Sequence, residues 1–272
     1  MSSTAPPRLA RQRQEFILAR IAATGGVRVA EVVDALGISE MTVRRDITEL
    51  VAQGLVERVH GGAVAAGPAA LEPRFTTKST QHQDAKRRIG ATAAGLVRPG
   101  DALALSAGTT TLEVARAVAA LPHLGTLTII TNSLPAAELL FEAADAIRSD
   151  GRPAPSVILT GGELTISRAL VGLVAIDTLK TMRVEWVFVG AHGFTPEAGL
   201  MTPNLLEAAT NQALVASGRT VVAVLDSSKW EILGLRSFCP TDSLGILVTD
   251  LQPDESTTAA LDEAGATLLL AR

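Results

Sequence analysis

Two sets of residues in this chain have the types and spacing to do chemistry on a partner. The first is Ser39-Glu40-Met41-Thr42-Val43-Arg44-Arg45-Asp46. Guanidinium groups grip phosphate or pair twice with a guanine edge, and short hydroxyls suit backbone phosphates. The second is a series of polar strings, each following a short apolar run: Ser106-Ala107-Gly108-Thr109-Thr110-Thr111, Thr131-Asn132-Ser133, Thr160-Gly161-Gly162-Glu163, Gly190-Ala191-His192-Gly193 and Asp226-Ser227-Ser228-Lys229. Gly108 to Thr111 opens a helix, where free N–H groups and the helix dipole favour an anion and the hydroxyls add donors. Lys229 supplies counter-charge, so a phosphorylated polyol or sugar is the expected ligand. Each feature also has a plain structural reading. The threonines serve as N-caps, Gly161-Gly162 as a turn, Lys229 as a solvated charge and His192 as a structural histidine.

Composition narrows the classes. With 272 residues and 47% hydrophobic content, the chain can build one large or two modest domains. It has no run of ~18 apolar residues to span a membrane, and Met1 to Pro7 has none of the charged and apolar regions of a secretory signal. The single cysteine, Cys239, leaves no intrachain disulfide and suits a reducing cytoplasm. One cysteine and four histidines offer little for a structural zinc site, and no cofactor is expected. The net charge of −4 argues against indiscriminate nucleic-acid binding. Residues 1–60 nevertheless carry eight basic and seven acidic side chains, leaving −5 for the remainder. Arg8, Arg11, Arg13, Arg20 and Arg28 face only Glu15 in the first 28 residues, which reads as a basic arm or, for Arg8 to Arg13, a solvated tail.

The arginine pair must be positioned by helices. Gln12 to Ala23 reads as a helix with Phe16, Ile17 and Ile21 inward, stopped by Thr24-Gly25-Gly26. Val27 to Val29 is short and β-like, and Ala30 to Leu36 is a second helix burying Val32, Val33 and Leu36. Gly37 suits a tight turn, and Ser39 is a natural N-cap for a third helix from Glu40 to about Gln53. At ~100° per residue, Val43, Ile47, Leu50 and Val51 form its core stripe. Arg45 falls opposite, with Met41, Thr42, Thr48 and Glu49 on the outer half and Arg44 on the flank. The arginines alone are equally an ordinary solvated face with Arg45 and Glu49 paired. Leu55 to Gly62 reads as a strand pair and its tip, with Arg58 and His60 reaching a backbone or groove, or His60 merely shaping the turn.

The second set must be positioned by strands. Seven apolar runs, Ala102–Leu105, Leu127–Ile130, Val157–Leu159, Val187–Val189, Val221–Leu225, Ile246–Val248 and Thr267–Leu270, alternate with helical stretches. Such strands imply a mainly parallel sheet covered on both faces. The five polar strings then lie at carboxyl strand ends, where open α/β sheets hold ligands.

Ser39, Thr42, Arg44-Arg45-Asp46 and His60-Gly61-Gly62-Ala63 together resemble the winged helix-turn-helix of the DeoR family of bacterial transcriptional regulators. The Gly-Thr-Thr-Thr, Thr-Asn-Ser, Gly-Gly, Gly-x-x-Gly and Asp-Ser-Ser-Lys strings resemble, in order, that family's sensor domain, which is related to ribose-5-phosphate isomerase, glucosamine-6-phosphate deaminase and the CoA transferases. The resemblance covers about residues 11 to 250. It implies a DNA-binding domain over 1–62, a linker over 63–83 and an α/β effector-sensing and oligomerising domain over 84–272. It further implies a repressor of a carbohydrate operon, a homodimer or homotetramer on double-stranded operator DNA, whose affinity changes when a phosphosugar binds. The DNA contacts would be Ser39, Met41, Thr42, Arg44, Arg45, Thr48, Arg58 and His60. The effector contacts would be Ser106, Gly108, Thr109, Thr110, Thr111, Asn132, Ser133, Gly161, Gly162, Glu163, His192, Glu207, Asp226 and Lys229. Three positions depart from the family's usual residues: Ser106 and His192, where Asp (at 192 also Asn) is common, and Asn211, where Lys is common. Two other functions stand beside this one. One is a DNA-binding protein whose second domain only oligomerises; the other is an isomerase-like enzyme using Glu163, Asp226 or Glu207 as base. The fused DNA-binding domain and the missing acid partner weigh against the enzyme.

Overall fold

The computed structural model describes residues 10–24, 26–52, 55–59, 61–65 and 75–272, which fall into two units, Met1–Pro73 and Arg74–Arg272. The first unit contains α1 (Ala10–Thr24), β1 (Gly26–Arg28), α2 (Val29–Leu36), α3 (Glu40–Ala52), β2 (Val56–Val59) and β3 (Gly62–Ala65). Ile17 and Ile21 of α1, Val32 of α2 and Val43, Ile47 and Leu50 of α3 form its core. Gly37 ends α2 in the left-handed region at φ 65°. Ser39 Oγ accepts from the Thr42 N–H at 3.2 Å and caps α3, as its position suggests. The strands pair antiparallel in the order β1-β3-β2. A Cβ on Gly62 would lie 2.1 Å from the Val27 carbonyl oxygen, so β3 approaches β1 closely enough to require glycine there.

Three details differ from the sequence expectation. Val51 is exposed, and its place on the inner face of α3 is taken by Asp46, which is buried. Asp46 is tolerated there because Arg13 of α1 pairs with it twice, Nε to Oδ2 at 2.7 Å and Nη2 to Oδ1 at 2.9 Å. The hydrogen bond to Asp46 raises the Arg13 pKa above its ordinary value. Arg13 therefore belongs to the folded unit and to no free arm. Ala63, expected to begin the linker, is fully buried in β3, because β1 supplies a distant pairing partner that local periodicity does not reveal. His60 and 66–74 lie outside the described residues, as does Arg8.

The second unit opens with α4 (Phe75–Ser79) and α5 (Gln83–Ala94). There follow β4 (Ala102–Leu105), α6 (Thr109–Ala119), β5 (Thr128–Thr131), α7 (Leu134–Ser149), β6 (Ser156–Leu159), the hairpin β7 (Glu163–Leu164) and β8 (Leu170–Val171), and α8 (Leu173–Lys180). Next come β9 (Val184–Val189), β10 (Gly193–Thr195), β11 (Gly199–Thr202), α9 (Leu205–Ser217), β12 (Gly218–Val224), β13 (Arg236–Cys239), β14 (Ile246–Thr249), α10 (Glu255–Glu263) and β15 (Thr267–Leu270). Seven strands form one sheet in the order β15-β14-β12-β9-β4-β5-β6, every pair parallel. Alternate side chains enter opposite layers. Leu103, Leu105, Phe188, Val222 and Val224 pack with α5, α6 and α7, while Ala104, Val187, Val189, Val221 and Ala223 pack with α8, α9 and α10. All seven apolar runs read from the sequence lie in this sheet. The antiparallel β10-β11-β13 sheet and the β7–β8 hairpin are additional. Burial, with a smaller contribution from Asp242, pushes the Cys239 thiol up to about 12.

Arg13→Ala strands the buried Asp46 carboxylate. Loss of such a partner is expected to destabilise the first unit by about 2–3 kcal/mol, the low end for a buried pair because Arg13 keeps some solvent. Urea unfolding followed by amide exchange in α3 measures this, and an unchanged midpoint would mean that the pair is dispensable.

Candidate functional site

The outer face of α3 is built from its cap outward. The Ser39 and Thr42 hydroxyls lie 2.9 Å apart. Met41 is 80% exposed, and the Arg45 side chain is 81% exposed while touching Glu49 at 3.3 Å. Arg44 lies 3.4 Å from Glu40. Such exposed pairs contribute little and exchange readily for another anion. Gln14 of α1 donates to the other Glu49 oxygen at 2.8 Å, holding that carboxylate to the inner side. Arg58 of β2 donates to the Arg44 carbonyl at 3.2 Å and to the Thr48 hydroxyl, so Thr48 and Arg58 join the strand pair to the helix. Seven of the eight residues expected to touch DNA thus lie on one connected surface of helix and strand, and the eighth, His60, is outside the described residues.

In the second unit, β4 leads outward to β5 and β6, whereas β9 leads in the other direction to β12, β14 and β15. The adjacent pair β4 and β9 is therefore the switch point, where loops diverge and leave a crevice at the carboxyl edge. The polar strings follow β12, β9, β4, β5 and β6, five neighbours in a row. Strands lie ~4.8 Å apart, so the Gly161-Gly162 turn after β6 starts roughly 10 Å from the end of β4, and no small ligand spans all five loops.

Several expected contact residues are hydrogen-bonded parts of the wall. Ser106 is fully buried, and its hydroxyl accepts from the Gly190 N–H at 3.1 Å, tying the β4 loop to the β9 loop. Asn132 Oδ1 accepts from the Ala107 N–H at 2.8 Å while its Nδ2 donates to the Leu170 carbonyl at 3.1 Å. Ser133 caps α7 through the Ala136 N–H. Thr111 is buried and donates to the Gly108 carbonyl at 3.1 Å. A Cβ at Gly162 would lie 2.4 Å from the Val171 carbonyl oxygen, which gives that glycine a packing reason. Glu163 is exposed on β7. Glu207, buried in the first turn of α9, accepts from the Thr165 hydroxyl at 2.7 Å. The His192 N–H donates to the Met201 carbonyl.

What remains open to a ligand centres on the α6 start and on charge. Thr109 and Thr110 begin α6 after Gly108. Asp226 is buried. Its Oδ1 accepts from the Ser228 N–H and hydroxyl, while Oδ2 makes no hydrogen bond among the described residues. Asp250, the residue after β14, braces this turn by accepting the Ser227 N–H at 2.7 Å. A residue missing from the sequence expectation joins them. Lys86 of α5 is 4% exposed, and its Nζ donates to the Lys78 carbonyl at 2.8 Å. Burial lowers its pKa; Asp226 opposes that, Lys229 and Lys78 add to it, and Glu113 opposes it. Lys86, Thr109, Glu113 and Arg116 line one cavity of about 280 Å³ with Gln83 and Ser79. The signal for Lys86 was available: it stands at i to Ile89, Gly90 and Ala93, a lysine in the buried stripe of a helix. No group of three or more metal-ligating side chains occurs among the described residues, and no described helix is long and apolar enough to cross a membrane.

Comparison with known proteins gives matches over both units. Residues 13–68 match the DeoR-like helix-turn-helix domain, and residues 81–251 match the DeoR C terminal sensor domain. The chain is 34% identical over 262 residues to the HTH-type transcriptional regulator GlpR of Haloferax volcanii, covering 95% of this chain and 96% of that protein. It is 31% identical over 262 residues to the uncharacterized HTH-type transcriptional regulator YgbI of Escherichia coli K12, with 96% and 98% covered. The lactose phosphotransferase system repressor of Staphylococcus aureus N315 is 32% identical over 246 residues, with 90% and 93% covered. Among solved structures, the full-length sorbitol operon regulator SorC of Klebsiella pneumoniae aligns with a TM-score of 0.39 at 10% identity, covering 98% of this chain and 97% of that one.

The electrostatics of Lys86 are testable without a ligand. Its amine is expected to titrate below the ordinary lysine value of 10.5, and Asp226→Asn, by removing a favourable charge, is expected to lower it further. Carbon-detected NMR titration of labelled lysine reads both, and a Lys86 titrating like a surface lysine would contradict the burial argument.

Proposed function

The chain belongs to the DeoR family, and as a DNA-binding transcriptional regulator of that family we propose that it reads an operator with α3 and the β2–β3 wing and alters its grip when a phosphorylated sugar or polyol enters the carboxyl-edge crevice. The observation that carries the effector reading is the buried, positively charged Lys86 beside Lys229, next to the α6 N-terminus. A desolvated amine that lines a cavity with Thr109 at the start of α6, close enough to a second lysine to feel its charge, suits a compact dianion. Glu207 and the unpartnered oxygen of Asp226 accept from sugar hydroxyls, and His192 and Thr110 complete the polar lining. Ser106, Thr111, Asn132 and Ser133 act through the shape of the wall, and Gly161, Gly162 and Glu163 border its far side. On this reading Ser106, where the family resemblance leads one to expect Asp, leaves room for a ligand with a different hydroxyl pattern.

On the DNA side, Arg45 swings from Glu49 to a guanine edge, and Met41 meets a thymine methyl. Ser39, Thr42 and Arg44 hold phosphates, and Arg58 with Thr48 sets the wing against the helix. The names of the sugar-system repressors among its relatives support repression of a carbohydrate operon, with ligand releasing the DNA. A cytoplasmic homo-oligomer fits this use, since paired recognition helices at fixed spacing read paired half-sites. The geometry does not favour an enzyme: Glu207 is bonded to Thr165, Asp226 caps its own turn and Glu163 faces outward.

Arg45→Ala is expected to weaken operator binding by about 1–3 kcal/mol and non-specific binding by much less. Titrations on operator and scrambled duplexes compare the two, and an equal loss on both would make Arg45 a phosphate contact. A panel of sugar and polyol phosphates is expected to raise the melting temperature with one compound in a dose-dependent way, and Lys86→Gln to abolish that rise. Affinity should decline as pH rises through the lowered Lys86 pKa, because the charged amine is the binding form. A flat response of the folded wild-type chain across the panel would remove the phosphosugar reading and leave the DNA-binding one intact.

A further inference from the structure

The carboxyl edge of the second unit bears an apolar rim that the crevice itself does not use. Leu164 and Ile166 stand on the β7–β8 hairpin, Leu173 and Val174 begin α8, and Leu205 and Leu206 begin α9, all of them exposed. Leu173 is 77% exposed at the first position of its helix. Since α8 and α9 each precede a parallel strand of the sheet, both helices start at the carboxyl edge, beside the hairpin that follows β6. Hydrogen bonds join the three segments: Thr165 of the hairpin to Glu207 of α9 at 2.7 Å, and the Gly172 N–H to Thr210 of α9 at 3.3 Å. The segment before β13 extends the rim, with Leu233 and Leu235 exposed on either side of a glycine packed on Met201 and Thr202.

Isolated exposed leucines are ordinary, but a connected apolar patch of this extent is not. These side chains expose on the order of 700 Å², close to the ~800 Å² that each partner contributes to an interface of standard size. We propose that the rim is the face on which a second copy of this chain docks. The argument for a copy of itself is area and charge together. An isologous contact sets each patch against its own image, so a charged patch would repel itself. Here the charged side chains of the hairpin are of opposite sign, Glu163 exposed on β7 and Arg168 directed to Glu138 at 3.5 Å, so the patch carries no net charge to repel its image, and Glu207 is buried beneath the rim. The size also exceeds what a sugar phosphate covers. The inference rests on the regulator reading and adds its partner surface: the rim shares Gly161 to Glu163 and the α9 start with the crevice, so a ligand there bears directly on how two copies meet.

The test uses the full chain in sedimentation velocity, with DNA titration alongside. The wild type is expected to sediment as a dimer or larger. Leu173→Asp with Val174→Asp, and separately Leu205→Glu with Leu206→Glu, are expected to give the 28.2 kDa monomer with unchanged far-ultraviolet circular dichroism. Leu251→Asp, an exposed leucine that follows β14, beyond β12 from the hairpin side of the sheet, should keep the wild-type mass. The monomeric variants should lose at least tenfold in affinity for a two-half-site operator while keeping wild-type affinity for non-specific duplex. A wild type of monomer mass, including one whose own first unit covers the rim, overturns the proposal. So does wild-type mass in both folded double variants. If instead DNA binding is absent from the wild-type oligomer, the regulator reading fails while the interface stands.

Discussion

The second unit depends on one topological constraint: β4 and β9 are neighbours whose chains depart in opposite directions. Parallel strands need crossovers, and right-handed crossovers that diverge from a central pair place helices on both faces and leave a gap between the first two loops. The gap must be closed from beneath, or buried backbone groups would stand unpaired. Ser106 does this by accepting the Gly190 N–H, and Asn132 does it one strand further out by bonding Ala107 and Leu170. The hydroxyl- and amide-rich strings are therefore partly a frame. Their hydrogen bonds fix the floor of the crevice, beside which the proposed site of Lys86 and the α6 start lies.

The first unit solves a related problem with an ion pair. Arginine side chains useful for reading DNA must stay exposed, and the helix carrying them must hold a fixed angle. Asp46, adjacent to Arg45, points inward and is gripped at both oxygens by Arg13. Gln14, the next residue of α1, holds Glu49, and Arg58 reaches α3 from the wing. A purely apolar contact would also bury α3, but a two-pronged bond resists rotation of the helix about its axis, which would move Arg45 off any groove.

Much of this was legible because burial leaves its period in the sequence. The seven apolar runs are strands buried on both faces, so they stand out without alternation, and each lies in the parallel sheet. The α3 cap at Ser39 and the turn at Gly37 were visible because those roles need particular backbone chemistry. What escaped notice depends on partners far away in the chain. Strand β3 needs β1, the hairpin strands are two residues long, and β13 pairs with β11 across an intervening helix and strand. Lys86 escaped for a different reason. The eye takes a lysine in a helix as solvated, and only its coincidence with the Ile89 and Ala93 stripe marks it as buried.

On the proposed reading, little motion is needed for regulation. Coupling that changes DNA affinity by one to two orders of magnitude is about 1–3 kcal/mol, comparable to one hydrogen bond involving a charged group. The Thr165–Glu207 bond is of that kind, and it joins the hairpin to the first turn of α9. A ligand hydroxyl that takes the Glu207 carboxylate in exchange for Thr165 would loosen the hairpin on α9 while the Gly172–Thr210 bond stays, and both segments carry rim leucines. The same exchange would leave the parallel sheet and its two packed faces untouched. On that reading a rigid floor with a rim tied by few side-chain bonds would let a small anion act on the contact between copies by exchanging one of them.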